Sequence, residues 1–288
     1  MTVKQILTHP GSAHKDDFMA CSVLIHQHQV DVVRREPSQS DLDDSGILVV
    51  DVGGSHDPEL GNFDHHQFPR DHPPICALSL VLQHLGVYED ALKFCDWLEP
   101  AEWFDSRGPS ETAEWLGVER DLLSKLNSPV DLTLLRRFAL TSRLTQDQPL
   151  WHIMRYIGED LLSYLTLLRQ RLEFIAENSE FWTVSTENSE FEVLFMPRTE
   201  PVPDDSSLGL QRYIDETGKS ESVAAMIYPD RRGSGYGISR YNGNKQLDFS
   251  QLTECEDVHF AHIRGFVAKT TATEPERLRE LLQLAVVE

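Results

Sequence analysis

The chain has 288 residues, with 26 Lys plus Arg against 47 Asp plus Glu, a formal charge of −21. Apolar residues at 40% and charged ones at 25% describe a chain that folds around a core, and the length favours two ordinary domains over one large one. No apolar run reaches the roughly 20 residues of a membrane-spanning helix, no signal peptide is read, and the acidic excess argues against tracking along a long DNA duplex.

Val3–Thr8 reads as a short strand ending at His9. A Pro-Gly-Ser turn follows, then a helix from about Asp16 to Gln29 with Phe18, Met19, Val23 and Leu24 at helical spacing. Asp31–Arg35 reads as a second strand, and Ile47–Val52 as a buried one ending in Asp51-Val-Gly-Gly. Strands joined through a helix at these spacings predict a parallel sheet with crossover helices. From Pro74 to about Asn178 the pattern is helical, with breaks at Gly86, Gly108-Pro109, Ser128-Pro129 and Pro149. Trp97 and Trp103 read there as helix packing. The texture then turns to β: Phe181–Thr186 and Phe191–Met196 flank a hairpin turn, Pro197–Ser207 is a loop, and Ser222–Tyr228 and Tyr236–Tyr241 are strands. Thr273–Val287 closes the sequence as an amphipathic helix, with Thr273 as N-cap and Glu276 in capping-box position. The expected organisation is α/β: a parallel-sheet domain over 1–149, a helical linker over 150–178, and a smaller α+β domain over 179–288.

The charge is uneven. Residues 1–100 hold 16 acids and 6 bases, and nine of the twelve histidines fall at or before His84. In open α/β sheets ligands bind at the carboxyl ends of strands. Three such places carry metal-type side chains: His9, His14 and Asp16 after the first strand, Asp51 after the buried one, and Asp64-His65-His66 thirteen residues on. Mixed imidazole and carboxylate ligands suit Mn²⁺, Zn²⁺ or Fe²⁺ better than Ca²⁺, and they suffice for two ions sharing a carboxylate. The four cysteines (Cys21, Cys76, Cys95, Cys255) have no CxxC spacing, in keeping with a reducing, cytoplasmic setting.

These motifs, His9-Pro-Gly-Ser-Ala-His14-Lys-Asp16-Asp17, Val50-Asp51-Val-Gly-Gly54, Asp57-Pro58 and Asp64-His-His-Gln67, resemble the DHH phosphoesterase superfamily. They are more closely similar to its MYG-one-like branch of metal-dependent 3′–5′ exonucleases. The resemblance extends, more loosely, to Trp103-Phe-Asp105-Ser-Arg-Gly108, to His262-Ile-Arg-Gly265-Phe266 and to Lys269-Thr270. It implies two metal sites, one of Asp16, Asp51, His65 and Asp105, the other of His9, His14 and the shared Asp51. The sequence departs from the branch at Pro10, Lys15, Ser106 and Ile263-Arg264, which leaves the cage intact and the substrate open.

A two-metal cage implies catalysis by two divalent ions, Mn²⁺ first and Mg²⁺, Fe²⁺ or Zn²⁺ as alternatives, roughly 3.5–4 Å apart and holding an attacking hydroxide. Asp51 would bridge them. His66 is the candidate for phosphate stabilisation or leaving-group protonation, or else supports the cage; Asp64 is expected to orient a metal-ligating histidine rather than bind metal. From the C-terminal domain, His262, Arg264, Gly265 and Lys269 are expected to meet substrate, while Arg231 and Arg232 at a turn tip stay open. The function expected is a phosphodiesterase cutting short single-stranded oligonucleotides from the 3′ end, releasing nucleoside monophosphates and admitting a homodimer. The alternatives are hydrolysis of another small phosphate compound (a cyclic dinucleotide, nucleoside bisphosphate or pyrophosphate) and a non-catalytic metal or nucleotide sensor.

Overall fold

The computed structural model describes residues 2–125 and 127–287. They form two compact units divided after Thr166, within a helix that runs from Pro149 to Asn178.

The first unit is α/β. In chain order it comprises β1 (Gln5–Thr8), α1 (Lys15–His28), β2 (Val32–Arg34), α2 (Gln39–Leu42), β3 (Ile47–Val50), β4 (His56–Asp57) and β5 (Asn62–Phe63). After these come α3 (Ala77–His84), α4 (Tyr88–Phe94), α5 (Leu98–Leu116), α6 (Arg120–Lys125), α7 (Pro129–Ala139), β6 (Arg143–Leu144) and the start of α8 (Pro149–Asn178). The sheet order is β4-β5-β3-β1-β2-β6. β1 runs parallel to β2 and β3, and β3 parallel to β5, while β4 and β6 are antiparallel edges. Ile6, Leu7, Val49 and Val50 are fully buried, as the continuous apolar runs of a sheet covered on both faces require. α1 buries Phe18, Cys21, Val23, Leu24 and Ile25.

Register is what matters for function. Thr8 lies opposite both Arg34 and Val50, and Val50 opposite Phe63. The residues that follow, His9, Asp51 and Asp64, therefore leave neighbouring strands at one sheet edge.

The second unit is a smaller α+β assembly. It takes in the end of α8, then β7 (Glu180–Ser185), β8 (Glu190–Phe195), α9 (Leu210–Glu216), β9 (Val223–Pro229) and β10 (Tyr236–Arg240). A 3₁₀ helix (Phe249–Glu254), β11 (Val258–Ala261), β12 (Val267–Thr270) and α10 (Pro275–Leu284) complete it. Its sheet order is β11-β12-β10-β9-β8-β7, antiparallel except for β8 with β9. Trp182, Phe195, Ile227, Ile238, Phe249, Leu278 and Leu282 share its core.

Several expected boundaries move. The last helix begins at Pro275 with Glu274 as N-cap, not at Thr273, because proline's fixed φ and missing N–H suit the first helical position. The break at Gly108-Pro109 takes the form of a kink inside α5, where Gly108 has φ +79°. The short elements α2, β4, β5, β6 and α9 and the β11–β12 hairpin were not anticipated.

Candidate metal centre

The segment joining β1 to α1 is built to hold two histidines. Arg34, at the end of β2 and buried, donates to the carbonyls of Gly11 (3.3 Å), Ser12 (2.7 Å) and Phe138 (3.0 Å), and its guanidinium lies over the Phe138 ring. Asp17, also buried, accepts the His14 N–H at 2.7 Å and lies 3.3 Å from His9 Nε2 and 3.6 Å from Arg34. The bridge from Asp17 helps raise the His9 pKa to about 8 against burial. Arg34 and Asp17 were missed as site residues. The only sequence signal was an acid three positions into a helix, where it can cap the preceding backbone N–H.

Asp51 follows β3 with φ +57°, a left-handed conformation that few residues other than glycine adopt. It is buried, and Gly53 and Gly54 after it also have positive φ. Asp64 anchors the other side of the turn: one oxygen accepts Gly54 N–H at 2.6 Å, the other accepts the N–H of His66 at 3.0 Å and its Nδ1 at 2.7 Å. Burial pushes Asp64 up, but these donors outweigh it and hold the carboxyl below its ordinary range. The Asp64 bond in turn raises His66, whose side chain is 61% exposed. Asp64 therefore orients His66 and not the expected ligand His65, whose Nε2 faces Asp51 and Asp105 instead.

Asp105, on α5, completes the group. His65 Nε2 lies 2.8 Å from Asp105 and 3.1 Å from Asp51. Those two acids drive His65 up to about 10 despite its burial. His9 Nε2 is 3.4 Å from Asp51, and His14 Nδ1 is 3.7 Å from Asp105.

Three sets of ligand atoms each converge within 4.8 Å: His9, His14 and Asp51; Asp16, Asp51, His65 and Asp105; and Asp51, His65 and His66. Asp51 belongs to all three. Both oxygens of Asp16 are buried with no hydrogen-bond partner among the described residues. Burial, then the neighbouring Asp51 and Asp105, pushes Asp16 well above the carboxylate range, and burial also raises Asp51, against the lowering effect of the His65 bond. Buried carboxylates without donors are costly unless a cation compensates them. The donor set fits divalent ions that accept mixed nitrogen and oxygen ligands.

The remaining expected residues lie in the second unit, around the β11–β12 hairpin. His262 packs its ring on Phe266 with centroids 4.0 Å apart, and its Nδ1 faces the Arg264 N–H at 3.1 Å. Arg264 is exposed. Lys269 is paired with buried Asp230 at 2.9 Å. Gly265 has φ +66°, and a Cβ there would fall 1.8 Å from Asp248 Oδ1, so the close approach it permits is that of a side chain from its own unit. Arg231 lies 4.0 Å from Asp204, with both side chains exposed.

Comparison with known proteins bears on the first unit. Residues 5–81 match the MYG1_exonuc family model, described as an uncharacterised protein family (UPF0160). The matched stretch carries five of the six expected ligands, all but Asp105, and bears out the MYG-one-like resemblance there. Proteins named MYG1 exonuclease from Bos taurus, Rattus norvegicus and Homo sapiens are each 38% identical over 71 residues, 23% of this chain and 18% of each relative's length. The match thus spans under a fifth of those relatives. A solved structure named "pGpG-specific phosphodiesterase - PggH from Vibrio cholrae" aligns over 99% of both chains at 11% identity and a TM-score of 0.31, and fixes neither fold nor activity here. Among the described residues no helix is long and apolar enough to cross a membrane.

Proposed function

We propose that this protein is a metal-dependent phosphodiesterase of the DHH type that hydrolyses short single-stranded oligonucleotides from the 3′ end and releases nucleoside monophosphates. The observation that carries the reading is Asp51, a strained and buried carboxylate common to three convergent ligand sets. The match of residues 5–81 to a family whose curated relatives are named exonucleases supports the reaction class.

Asp16, Asp51, His65 and Asp105 would hold one ion, and His9, His14 and Asp51 the other, with Mn²⁺ the first choice. Two such ions supply Lewis-acid stabilisation of phosphoryl oxygens and a nucleophile at neutral pH. Asp51 sets the spacing of the two sites, and Arg34 and Asp17 fix the turn that carries His9 and His14. His66, with Nδ1 bonded to Asp64 and a side chain 61% exposed, would be the group that gives a proton to a leaving oxygen, a role its raised pKa favours. In the second unit, which we read as a substrate-binding domain over 179–288 joined by 150–178, His262 and Arg264 would be the substrate contacts, and Gly265, approached by the Asp248 side chain, would shape the turn that carries them. Lys269 would join them by exchanging its Asp230 partner. The four free cysteines accord with a cytoplasmic setting.

The test is incubation of the purified protein with Mn²⁺ and 5′-labelled RNA and DNA oligomers of a few nucleotides. Stepwise shortening from the 3′ end, lost in Asp51→Asn with the fold retained, is expected. Protein that keeps its metal and leaves every oligomer intact refutes the reading. Faster turnover of pyrophosphate than of a dinucleotide would replace the substrate class.

A further inference from the structure

We infer that the first unit carries, beside the Asp51 centre, a subsite for a flat apolar ring, the nucleobase of the bound phosphodiester; this rests on the phosphodiesterase reading above. A cleft of about 200 Å³ opens between α1, α3, α7, α8 and the start of α5. Its walls are Phe18, Met19, Leu78, Trp97, Leu134 and Leu135. Asp16 lies in the same lining, so the cleft adjoins the four-residue ligand set through a shared residue.

Charge and size decide what the cleft takes. Lys15 and Asp131, the other charged residues of the lining, pair with each other at 2.8 Å. No unpaired cation is left there among the described lining residues to hold a phosphate. The volume is below the roughly 300–1,000 Å³ of sites for drug-sized molecules, so it suits one ring system and not a whole nucleotide. Trp97, expected from sequence to pack between helices, is instead 45% exposed and presents its indole at the cleft. Stacking on an indole tolerates any base, because every base has a π-face, and this lining has few polar groups with which to read base edges. The phosphodiester would then be held at the metals and its neighbouring base in the cleft, with discrimination between base and no base rather than among bases.

Two variants and two measurements test this on the full chain. Trp97→Ala removes the stacking face at a half-exposed position, and Ala101→Trp fills the cleft from α5. With Mn²⁺, kcat/KM is compared for a dinucleotide and for the same dinucleotide made abasic at either residue. The wild type should prefer the base-bearing substrate at one residue by about tenfold or more, the scale of one stacked base, and both variants should bring that preference toward unity. Separately, saturation-transfer NMR with adenosine, which has no phosphate, should give a signal in the wild type that Ala101→Trp abolishes. An active enzyme with no preference at either residue, or with one unchanged in both variants, overturns the subsite, as does adenosine binding that Ala101→Trp leaves intact. Protein inactive on every diester that still loses adenosine binding in Ala101→Trp keeps the subsite and refutes the phosphodiesterase reading. Inactivity with no adenosine binding refutes both.

Discussion

Arg34→Met is the most exacting perturbation of the frame that holds the centre. Arg34 is 5% exposed, and its guanidinium serves three backbone carbonyls, Gly11, Ser12 and Phe138, while lying 3.6 Å from Asp17. Methionine fills similar volume without the charge, so packing against Phe138 survives and the polar partners do not. Asp17 is fully buried and, among the described residues, is left with the His14 N–H and the His9 ring as its polar partners. Removing one member of a buried ion pair costs about 3–5 kcal/mol, since the other charge is left without compensation. The three carbonyls add to this, although the turn can open to water and recover part of the loss.

We therefore expect Arg34→Met to lower the unfolding free energy of the metal-free protein by about 3–5 kcal/mol, read from the midpoint of urea unfolding at unchanged slope. The double variant Arg34→Met/Asp17→Asn should regain about half, because it removes the stranded charge but not the loss at the carbonyls. Mn²⁺ affinity should also fall in the single variant, since the 10–12 turn positions both His9 and His14. A cost below about 1 kcal/mol, or a double variant less stable than the single one, would refute the claim that this pair pins the turn.

Three further outcomes are expected. His9 and His65, raised to about 8 and about 10, are protonated at neutral pH in the metal-free protein and stabilise it below their unfolded value of 6.5, a contribution lost as pH rises through the folded values. Metal must displace those protons, about two in number, so the rise in Tm on adding Mn²⁺ should widen between pH 6 and 8.5; a rise independent of pH contradicts this. Asp64→Asn removes the carboxylate that raises His66, so the proton donor should be lost at lower pH, with kcat down about tenfold or more and the alkaline limb of the pH–rate profile moved toward acid. Gly158→Ala should cost about 1–3 kcal/mol in chemical unfolding, because a Cβ there would fall 2.2 Å from the Ser22 carbonyl oxygen and force α8 away from α1.

The parts of this centre that sequence reading reached have a common cause. β3 is a continuous apolar run (Ile-Leu-Val-Val), so its end, and hence Asp51, is marked by an abrupt change of residue type, while β1, with Ile6 and Leu7 between Gln5 and Thr8, is marked by the Pro-Gly turn that follows His9. β4, β5 and β6 have two residues each, too few for any period to register. Asp105 lies forty positions beyond His65, on a helix with no local feature that marks a ligand, and only the resemblance pointed to it. Arg34 looks like half of an ordinary Arg-Arg pair. Its role depends on the pairing of β2 with β1 and on Phe138, 104 residues away, and neither can be read locally. Gly265, expected to meet substrate, is instead approached by the Asp248 side chain of its own unit, a long-range contact no local pattern reveals.

The charge excess also resolves residue by residue. Of the buried acids at the sheet edge, Asp17 is answered by Arg34, and Asp64 by two backbone N–H groups and His66. Asp16, Asp51 and the half-buried Asp105 have no Lys or Arg partner among the described residues; His65 lies within 3.1 Å of both Asp51 and Asp105, and His14 is 3.7 Å from Asp105. A buried surplus of carboxylates is unfavourable for the bare fold, and evolution of a stable core alone would have no use for it. Two divalent ions would turn that surplus into a site with four added positive charges, favourable to a phosphate on an otherwise acidic protein. On the proposed function, that is why a chain of net charge −21 can take the end of a short oligonucleotide while lacking the basic stripe that a long duplex demands.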